Sequence, residues 1–437
     1  MTILPDSGTE RQVKAMPHKG QNPTPPGIAK VMLNDIREEL QRLHTQRLYR
    51  SRRVLESPQG VELRVDGESL LSFCSNDYLG LANDARVIAA FRDGAERYGV
   101  GSGASHLIAG HSVAHHALEE ELAAFVGAER ALLFSTGYMA NLGVATALLD
   151  RHGTVFEDKL NHASLIDAAR LSGARVKRYA HGDLARLEVL LAAGAGHNAG
   201  ATDASASPGA YAKRLILTDA VFSMDGDVAD VARLATLARQ HASWLLVDDA
   251  HGLGVLGAQG RGTLEHFGLQ PQAPLILLGT LGKAFGTFGA FIAGDAELVE
   301  LLIQQARPYI YTTALPPALA EATRASLRIV QAESGRREAL RARIAQFRSG
   351  AAQLGLTLLD SSTPIQALIL GDAPAAVAAS DALRARGILV AAIRPPTVPA
   401  GSARLRITFC AQHTAQHVER LLEALAGLPR HLRSGSA

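Results

Sequence analysis

The segment LILLGTLGKAFGTFGAF (275–291) carries one charged side chain, Lys283, among apolar residues and four glycines. Its first residues have the length and composition of a buried strand that ends near Thr280. An ammonium group in apolar surroundings is unfavourable unless it is paired or gives up its proton. Lys283 therefore has three interpretations: a lysine whose stem covers apolar surface, a phosphate ligand, or a nucleophile whose pKa is lowered by burial.

Further apolar runs lie before and after this segment and alternate with helical patterns. They are ALLFS (131–135), TVFED (154–158), RLILTDAVFS (214–223), WLLVDDAH (244–251) and GAFIAG (289–294). Buried strands that alternate with helices are typical of a mainly parallel sheet with helices on both faces. The predicted fold class is therefore α/β. After residue 315 the pattern changes to long helices with strands near 365–370, 388–392 and 404–408, which indicates a smaller α+β domain.

The chain divides into five parts by composition and pattern. Residues 1–27 are rich in proline, glycine and polar residues and are predicted to be a disordered leader. Residues 28–80 should form a helix and short strands, 81–314 the large α/β domain, 315–430 the C-terminal α+β domain, and 431–437 a tail. The stretch 192–212 is rich in alanine, glycine and serine without periodicity, so we interpret it as a surface insertion.

Composition and charge narrow the range of partners. The net charge of +2 gives no reason to expect nucleic acid or a charged membrane surface as a partner. Cys74 and Cys410 are too few for a disulfide framework. No apolar run approaches the roughly 18 residues that span a bilayer, and the N-terminus lacks the apolar core of a secretory signal. We therefore predict a cytoplasmic protein.

Three familiar motifs are matched only in part. GLGVLG (252–257) fits the glycine pattern of a dinucleotide site, but no amphipathic helix begins at its third glycine. GTLGKA (279–284) lacks the first glycine of a phosphate loop and the Ser or Thr that follows the lysine. His115 and His116 lie in the helical run HSVAHHALEEELAAF (111–125) and are interpreted as surface or packing residues. Because no spacing typical of metal ligands is present, no metal is predicted.

Polar residues follow several of the predicted strands, where open α/β sheets bind ligands. Asp248 and His251 follow one strand, and Thr280 and Lys283 follow the next. FSTGYMAN (134–141) predicts a strand, a glycine turn and a helix start, whose amides suit a phosphate. FSMDGD (222–227) and LNHAS (160–164) add a serine and a histidine. Each residue alone has a structural interpretation, such as a helix cap. Together they are the set that an enzyme using pyridoxal phosphate requires.

Longer motifs carry a resemblance to a known family. VFSMDGD (221–227), LLVDDAHGLGVLG (245–257) and GTLGKAFGTFGA (279–290) resemble the α-oxoamine synthases, fold-type I enzymes that use pyridoxal 5'-phosphate. The resemblance covers residues 33–425. SFCSNDYLGL (72–81), the glycine- and histidine-rich stretch 99–123 and AIRPPTVPAGSARLRIT (392–408) are most similar to the members that join L-alanine to a pimeloyl thioester in biotin synthesis. DKLNHASLIDAAR (158–170) also resembles the members that acetylate glycine.

The resemblance implies a role for each matched residue. Lys283 is implied to form the Schiff base with the cofactor, Asp248 to pair with the ring nitrogen, and His162 to stack on the ring. The other residues implied to bind the cofactor are Gly137, Tyr138, Ser223, His251, Thr280, Thr312 and Thr313, the last two from a neighbouring subunit. Those implied to contact substrate are Arg50, His162, Arg394 and Thr397, of which Arg394 grips the carboxylate of the amino acid.

The expected activity is therefore a decarboxylative acyl transfer by a homodimer with shared active sites. The acyl donor is pimeloyl-CoA or a pimeloyl-acyl carrier protein, and L-alanine is the acceptor. The nearest alternatives are family members that act on glycine and acetyl-CoA, or that make 5-aminolevulinate or sphingoid bases. A non-catalytic scaffold of this fold and a nicotinamide dehydrogenase are alternatives of other classes.

Overall fold

The structure, a computed structural model, describes residues 26–46, 48–193 and 214–433 and shows two compact units, Met1–Arg53 and Val54–Ala437. The first unit contains helix α1 (Pro26–Thr45). The predicted leader and the stretch 192–212 lie almost wholly outside the described residues. None of the helices within these ranges has the length and the apolar character that a membrane crossing demands.

The second unit alternates strands and helices along the chain. Its strands are β1 (Glu62–Val65), β2 (Glu68–Ser72), β3 (Arg130–Phe134), β4 (Thr154–Asp158), β5 (Arg175–Tyr179), β6 (Arg214–Asp219), β7 (Trp244–Asp248), β8 (Leu275–Thr280), β9 (Ala290–Gly294), β10 (Ile365–Gly371), β11 (Ile388–Leu389), β12 (Ala391–Ile393) and β13 (Ala403–Thr408). Its helices are α2 (Ala85–Tyr98), α3 (Val113–Val126), α4 (Gly137–Leu148), α5 (Ala163–Leu171), α6 (Leu184–Ala193), α7 (Val231–Gln240), α8 (Thr263–His266), α9 (Ala296–Gln305), α10 (Arg307–Ile310), α11 (Pro317–Ala332), α12 (Ser334–Gln353), α13 (Ala373–Arg384) and α14 (Ala415–Ala426). A π-helical turn spans His106–Gly110, and a 3-10 turn spans Arg430–Leu432.

The central sheet has the strand order β3-β9-β8-β7-β6-β4-β5. Strands β8, β7, β6, β4 and β5 run parallel to one another, whereas β9 is antiparallel to both of its neighbours. The predicted α/β class with a mainly parallel sheet is therefore confirmed. The parallel strands place their carboxyl ends side by side, with Asp219 of β6 in register with Asp248 of β7.

Helices cover both faces of this sheet, which explains the continuous apolar runs. In β8, Leu277 packs into one hydrophobic cluster, whereas Ile276 and Leu278 pack into the cluster on the other side. Successive side chains of a strand point to opposite faces, so a strand that is buried on both faces typically has a near-continuous apolar sequence. The side chains of Ile276, Leu277 and Leu278 are all completely buried.

Two three-stranded sheets accompany the central one. Their orders are β1-β2-β11 and β10-β13-β12. The single strand expected near 388–392 is divided into two short strands, because β11 pairs with β2 whereas β12 pairs with β13. The chain changes sheets at the buried Val390 between them. The predicted domain limits at residues 81 and 315 stay a prediction.

Candidate active site

A cavity of about 310 Å³ lies at the carboxyl edge of the parallel strands β6, β7 and β8. Eight of the predicted residues line it: Gly137, Tyr138, His162, Ser223, Asp248, His251, Thr280 and Lys283. The other lining residues had no predicted role: Asn76, Ser164, Asp219, Met224, Ala250 and Arg406. Residues from distant parts of the chain thus meet at the edge where the sequence pattern placed a ligand site.

Lys283 stands in the loop that follows β8, with its Nζ 3.4 Å from Thr280 Oγ1. Gly286 lets this loop turn, because its φ is +65° and a Cβ there would clash with the backbone of Ala82. Burial lowers the pKa of the Lys283 amine more than the nearby carboxylates raise it. The amine therefore loses its proton more readily than a lysine in water, which suits a nucleophile or a base.

Asp248 is the last residue of β7, and its carboxylate is fixed from two sides. Oδ2 accepts a hydrogen bond of 2.7 Å from Asn141 Nδ2, and Oδ1 accepts one of 3.1 Å from the Ala250 amide. The same Asn141 nitrogen donates to Ser164 Oγ at 2.9 Å. Asn141 lies on α4, is buried, and had no predicted role. It holds the carboxylate in one orientation at the cavity wall.

Asp219, a second carboxyl group beside Asp248, had no predicted role. Its Oδ2 accepts a hydrogen bond of 2.6 Å from the His162 amide. Burial, followed by the charge of Asp248, raises the pKa of Asp219 well above its ordinary value. Asp219 thus retains its proton more readily than an aspartate in water. The signal was present, since RLILTD ends in an acid after an apolar run just as WLLVD does.

His162 is the N-cap of α5, and this position fixes its ring. Its Nδ1 lies 2.7 Å from Ser164 Oγ and accepts a hydrogen bond of 3.3 Å from the Ser164 amide. An amide can only donate, so Nδ1 is the acceptor of the ring and a neutral ring carries its proton on Nε2. The imidazole is therefore oriented at the cavity wall by its own helix. Stacking of His162 on a bound ring stays a prediction.

His251 and Tyr78 form a buried pair, with Nδ1 of His251 2.5 Å from the Tyr78 hydroxyl. Burial lowers the pKa of His251 well below its ordinary value. Burial also raises the pKa of Tyr78 to about 12. The imidazole is consequently neutral and the phenol protonated, and Tyr78 is the donor in the tautomer of His251 that leaves Nδ1 unprotonated. The proton of His251 then lies on Nε2, from which it can be donated to a ligand oxygen.

The N-terminus of α4 abuts Thr280 at the same cavity. Thr136 caps the helix, accepting a hydrogen bond of 3.2 Å from the Met139 amide. A Cβ on Gly137 would lie 2.9 Å from Thr280 Cγ2, so only glycine leaves this corner open. The first-turn amides of Gly137 and Tyr138 have no partners within the helix and lie at its positive end. The corner is a cradle for an anion such as a phosphate.

Arg406 of β13 is the most prominent cavity residue that had no predicted role. It is almost completely buried, yet its hydrogen-bond acceptors are neutral oxygens. Nε donates to Ser223 O at 2.6 Å, one terminal nitrogen to Asn76 Oδ1 at 3.1 Å, and the other to Thr408 Oγ1 at 3.0 Å. A buried guanidinium held by neutral acceptors favours an anionic ligand.

The remaining predicted residues do not line this cavity. Arg394 is half-buried and Thr397 exposed, in the loop between β12 and β13. Thr312 is half-buried, and the exposed Thr313 forms an isolated backbone bridge with Ser105. Arg50 is an exposed residue of the N-terminal unit. The roles implied for these five residues stay predictions.

The donor set fits pyridoxal phosphate. A lysine of lowered pKa, a fixed carboxylate and a cradle that a single Cβ on Gly137 would close all face one cavity. Lys283 would hold the aldehyde carbon, Asp248 the ring nitrogen and the start of α4 the phosphate. His251, with its proton on Nε2, would donate to the phenolic oxygen.

Comparisons with known proteins agree with this fit. A family model described as aminotransferase class I and II matches residues 68–425. The chain is 60% identical over 393 residues to the 8-amino-7-oxononanoate synthase of Thioalkalivibrio sulfidiphilus, covering 90% of this chain and 97% of that protein. It is 62% identical over 388 residues to the enzyme of the same name from Nitrosococcus oceani, covering 89% and 99%.

Solved structures of related enzymes have the same fold. The 8-amino-7-oxononanoate synthase of Francisella tularensis is similar with a TM-score of 0.69 and 32% identity, covering 82% of this chain and 97% of that one. The serine palmitoyltransferase of S. paucimobilis, with a bound PLP–myriocin aldimine, is similar with a TM-score of 0.82 and 29% identity. That match covers 92% of this chain and 98% of the palmitoyltransferase.

Proposed function

Because the chain belongs to the 8-amino-7-oxononanoate synthases of the aminotransferase class I and II family, we propose that it joins L-alanine to a pimeloyl thioester. The reaction is an acyl transfer with loss of carbon dioxide. It yields 8-amino-7-oxononanoate and a free thiol carrier, which is either coenzyme A or an acyl carrier protein, in biotin biosynthesis. The observation that carries the proposal is the meeting of Lys283, Asp248 and Arg406 on one cavity.

Pyridoxal phosphate, when bound, supplies an aldehyde that captures amines and a ring that accepts an electron pair. Lys283 would hold this group at rest and, once displaced by alanine, would remove the proton from the alanine Cα. Its lowered pKa supports the second role, because a base must be neutral before it accepts a proton. Thr280, 3.4 Å away, keeps the amine at the end of β8.

Asp248 would hold a proton on the ring nitrogen. Asn141 and the Ala250 amide donate to the carboxylate and fix the positions of its two oxygens. Asp219, whose pKa is raised, adds little negative charge when it is protonated.

Arg406 is the residue we propose for the alanine carboxylate. Its planar guanidinium suits a carboxylate. Its hydrogen-bond acceptors in the protein include a backbone carbonyl and a side-chain amide oxygen, which are both uncharged. Ser223 and Asn76, which accept from it, keep the group at the cavity wall. Arg394 and Thr397, and Arg50 of the N-terminal unit, remain candidates for contacts with substrate.

The active enzyme is proposed to be a cytoplasmic homodimer with shared active sites. Thr312 and Thr313 do not line the cavity of their own chain, which supports a contribution to the phosphate site of a neighbour. The partners are then a second copy of the chain, L-alanine and the pimeloyl donor. Neither nucleic acid nor a membrane is required.

A substrate matrix tests the proposal. The purified holoenzyme is incubated with L-alanine, glycine or L-serine against pimeloyl-, acetyl- and palmitoyl-CoA, and thiol and carbon dioxide release are followed. We expect release with L-alanine and pimeloyl-CoA well above all other pairs. Release with glycine and acetyl-CoA would instead assign glycine C-acetyltransferase activity. Release with serine and palmitoyl-CoA would assign the reaction of the palmitoyltransferase relatives.

A further inference from the structure

Four histidines lie close together in the chain outside the active-site cavity: His106, His111, His115 and His116. They occupy the π-helical turn His106–Gly110, the segment after it and the first turn of α3. Three of them, with Glu119 and Tyr309, line a second cavity of about 280 Å³. The hydrogen bonds of each imidazole decide which ring nitrogens are available for a ligand.

Both ring nitrogens of His115 form hydrogen bonds within the protein. Its Nδ1 accepts a hydrogen bond of 3.0 Å from the Ser112 amide and completes the capping box of α3. Its Nε2 donates to Leu315 O at 2.7 Å. With both nitrogens committed, His115 is a structural residue.

His111, His116 and Glu119 form a different arrangement. One ligand atom from each of the three lies within 4.8 Å of the others. His111 Nε2 is 3.9 Å from Glu119 Oε2, whereas Glu119 Oε1 accepts a hydrogen bond of 2.9 Å from the Leu133 amide. Two ligands of a tetrahedral ion at about 2.1 Å lie roughly 3.4 Å apart. The 3.9 Å between His111 Nε2 and Glu119 Oε2 is therefore slightly wider than a coordination shell, and side-chain rotation would bring the three ligand atoms together around an ion.

His106 lies where it can hydrogen-bond to His111 without binding the ion itself. Its Nδ1 lies 3.0 Å from Nδ1 of His111. A histidine that binds a metal through one nitrogen usually donates its other N–H to a neighbouring acceptor. This contact would fix the His111 proton on Nδ1 and leave its Nε2 lone pair directed to the ion. The His106 ring is itself held by stacking on Tyr309, with centroids 4.9 Å apart and planes 12° apart.

The charges around the cluster suit a dication. Besides Glu119, the carboxylate of Glu120 lies 3.4 Å from His116 Nε2. The one guanidinium among the residues that line this cavity, Arg130, is paired with Glu300 at 3.1 Å. Two carboxylates thus stand beside the imidazoles.

We propose that His111, His116 and Glu119 bind one divalent transition-metal ion of the Zn²⁺ class. Two imidazoles and one carboxylate favour Zn²⁺, Co²⁺ or Ni²⁺ over Mg²⁺ or Ca²⁺, which prefer oxygen ligands. The order His-x4-His-x2-Glu differs from the usual zinc spacings because the first ligand precedes the helix. The sequence pattern accordingly predicted no metal, and His115 and His116 were interpreted as surface or packing residues.

Metal titration of the full-length holoenzyme tests the site. The protein is treated with a chelator, exchanged into metal-free buffer and titrated with Zn²⁺ in competition with a chromophoric chelator. We expect saturation at one ion per chain, and a Co²⁺ complex with visible bands of a nitrogen- and oxygen-ligated ion. His111→Gln and Glu119→Gln should abolish this tight binding. His106→Phe, which keeps the stack on Tyr309 but not the outer hydrogen bond, should weaken it by about 10–100-fold.

His152→Gln is the matched control, since His152 is an exposed histidine on the turn after α4. It should bind Zn²⁺ as the unmodified protein does. Melting curves with and without Zn²⁺ identify any variant that fails to fold, and His116→Gln replaces Glu119→Gln if the buried carboxyl is needed for folding. Equal Zn²⁺ affinity in the unmodified protein, His111→Gln and His116→Gln would overturn the proposal, as would the absence of saturable binding.

Discussion

Asp248 and Asp249 are adjacent in the sequence and both buried, but they contact different parts of the molecule. Asp248 faces the active-site cavity and accepts from Asn141. Asp249 faces the other way and accepts two hydrogen bonds of 2.6 Å from Thr263, one from its amide and one from its hydroxyl. Burial raises the pKa of Asp249 to about 7. One aspartate is therefore placed for chemistry, and its neighbour ties β7 to α8.

Exchange of each aspartate for asparagine should separate these roles. Asp248→Asn keeps the size of the side chain but removes the charge that holds a ring proton, so we expect kcat to fall by about 10²–10³-fold with the melting temperature nearly unchanged. Asp249→Asn should instead lower the melting temperature, because only one terminal atom of asparagine accepts hydrogen bonds whereas both carboxylate oxygens of Asp249 do, and retain most of kcat. Steady-state kinetics and thermal unfolding of both variants check this. Near-normal turnover in Asp248→Asn would contradict its role.

The KM for L-alanine should show whether Arg406 or Arg394 binds the alanine carboxylate. Arg406→Lys keeps a positive charge but loses the planar fork, so we expect the KM for L-alanine to rise by about 10–100-fold, as for loss of a charged hydrogen bond. The KM for the acyl donor and the cofactor affinity should change little. Arg394→Lys is the matched control and should leave the alanine KM closer to normal. The opposite order of the two variants would return the carboxylate site to Arg394.

At the scale of elements, the contact between α4 and β8 sets the width of the phosphate cradle. Gly137→Ala would place a methyl group 2.9 Å from Thr280 Cγ2. We expect weaker cofactor binding, measured as the dissociation constant of pyridoxal phosphate, with little change in the stability of the cofactor-free protein. Adding Thr280→Ser should restore part of the affinity, since serine lacks the methyl group but keeps the hydroxyl. No rescue by the double variant would show that the crowding lies elsewhere.

A second link between elements joins β4 and His181, two residues after β5, to the loop that carries Ser223. His181 Nδ1 lies 3.2 Å from both oxygens of Asp158, and its Nε2 lies 3.0 Å from Asp227 Oδ2. Only the doubly protonated ring can donate to both carboxylates. These hydrogen bonds, with Asp158 first, raise the pKa of His181 to about 10.

This link should make stability depend on pH in a defined window. A histidine in the unfolded chain has a pKa of about 6.5, so the stabilisation is complete below that pH and is lost as pH rises toward the folded pKa of about 10. We expect the urea midpoint of the unmodified protein to exceed that of His181→Gln most at mildly acidic pH, and the difference to shrink in alkaline buffer. A difference that stays constant from neutral to alkaline pH would exclude this titration.

The elements that sequence pattern predicts well are those buried on two faces. A short uninterrupted apolar run such as Leu275–Thr280, followed by glycines, favours an interior strand, and a polar residue at its end then lies at the sheet edge. Lys283 and Asp248 were found in this way. β13 follows no such rule, because all six of its residues are buried although two are arginines. A charged strand residue is usually at the surface, so Arg406 was passed over.

At the scale of the whole molecule, the missed residues share one property. Arg406 contacts Asn76 from 330 positions away in the sequence, and Asn141 contacts Asp248 from 107 positions away. Local periodicity reports which face of an element is apolar, but not which distant element meets its polar end. The strand series was therefore predictable, whereas the walls of the cavity that come from β13 and from residue 76 required the folded chain.

The largest assembly proposed here is the dimer, and subunit mixing tests whether its active sites are shared. Lys283→Ala and the double variant Thr312→Ala/Thr313→Ala should each have little activity alone. If the threonines serve the partner's site, a mixed dimer has one site with the lysine of one chain and the threonines of the other, both unmodified. Random mixing of equal amounts after mild dissociation should then recover about a quarter of full activity. If the threonines served their own chain, every site would lack one group and mixing would restore nothing.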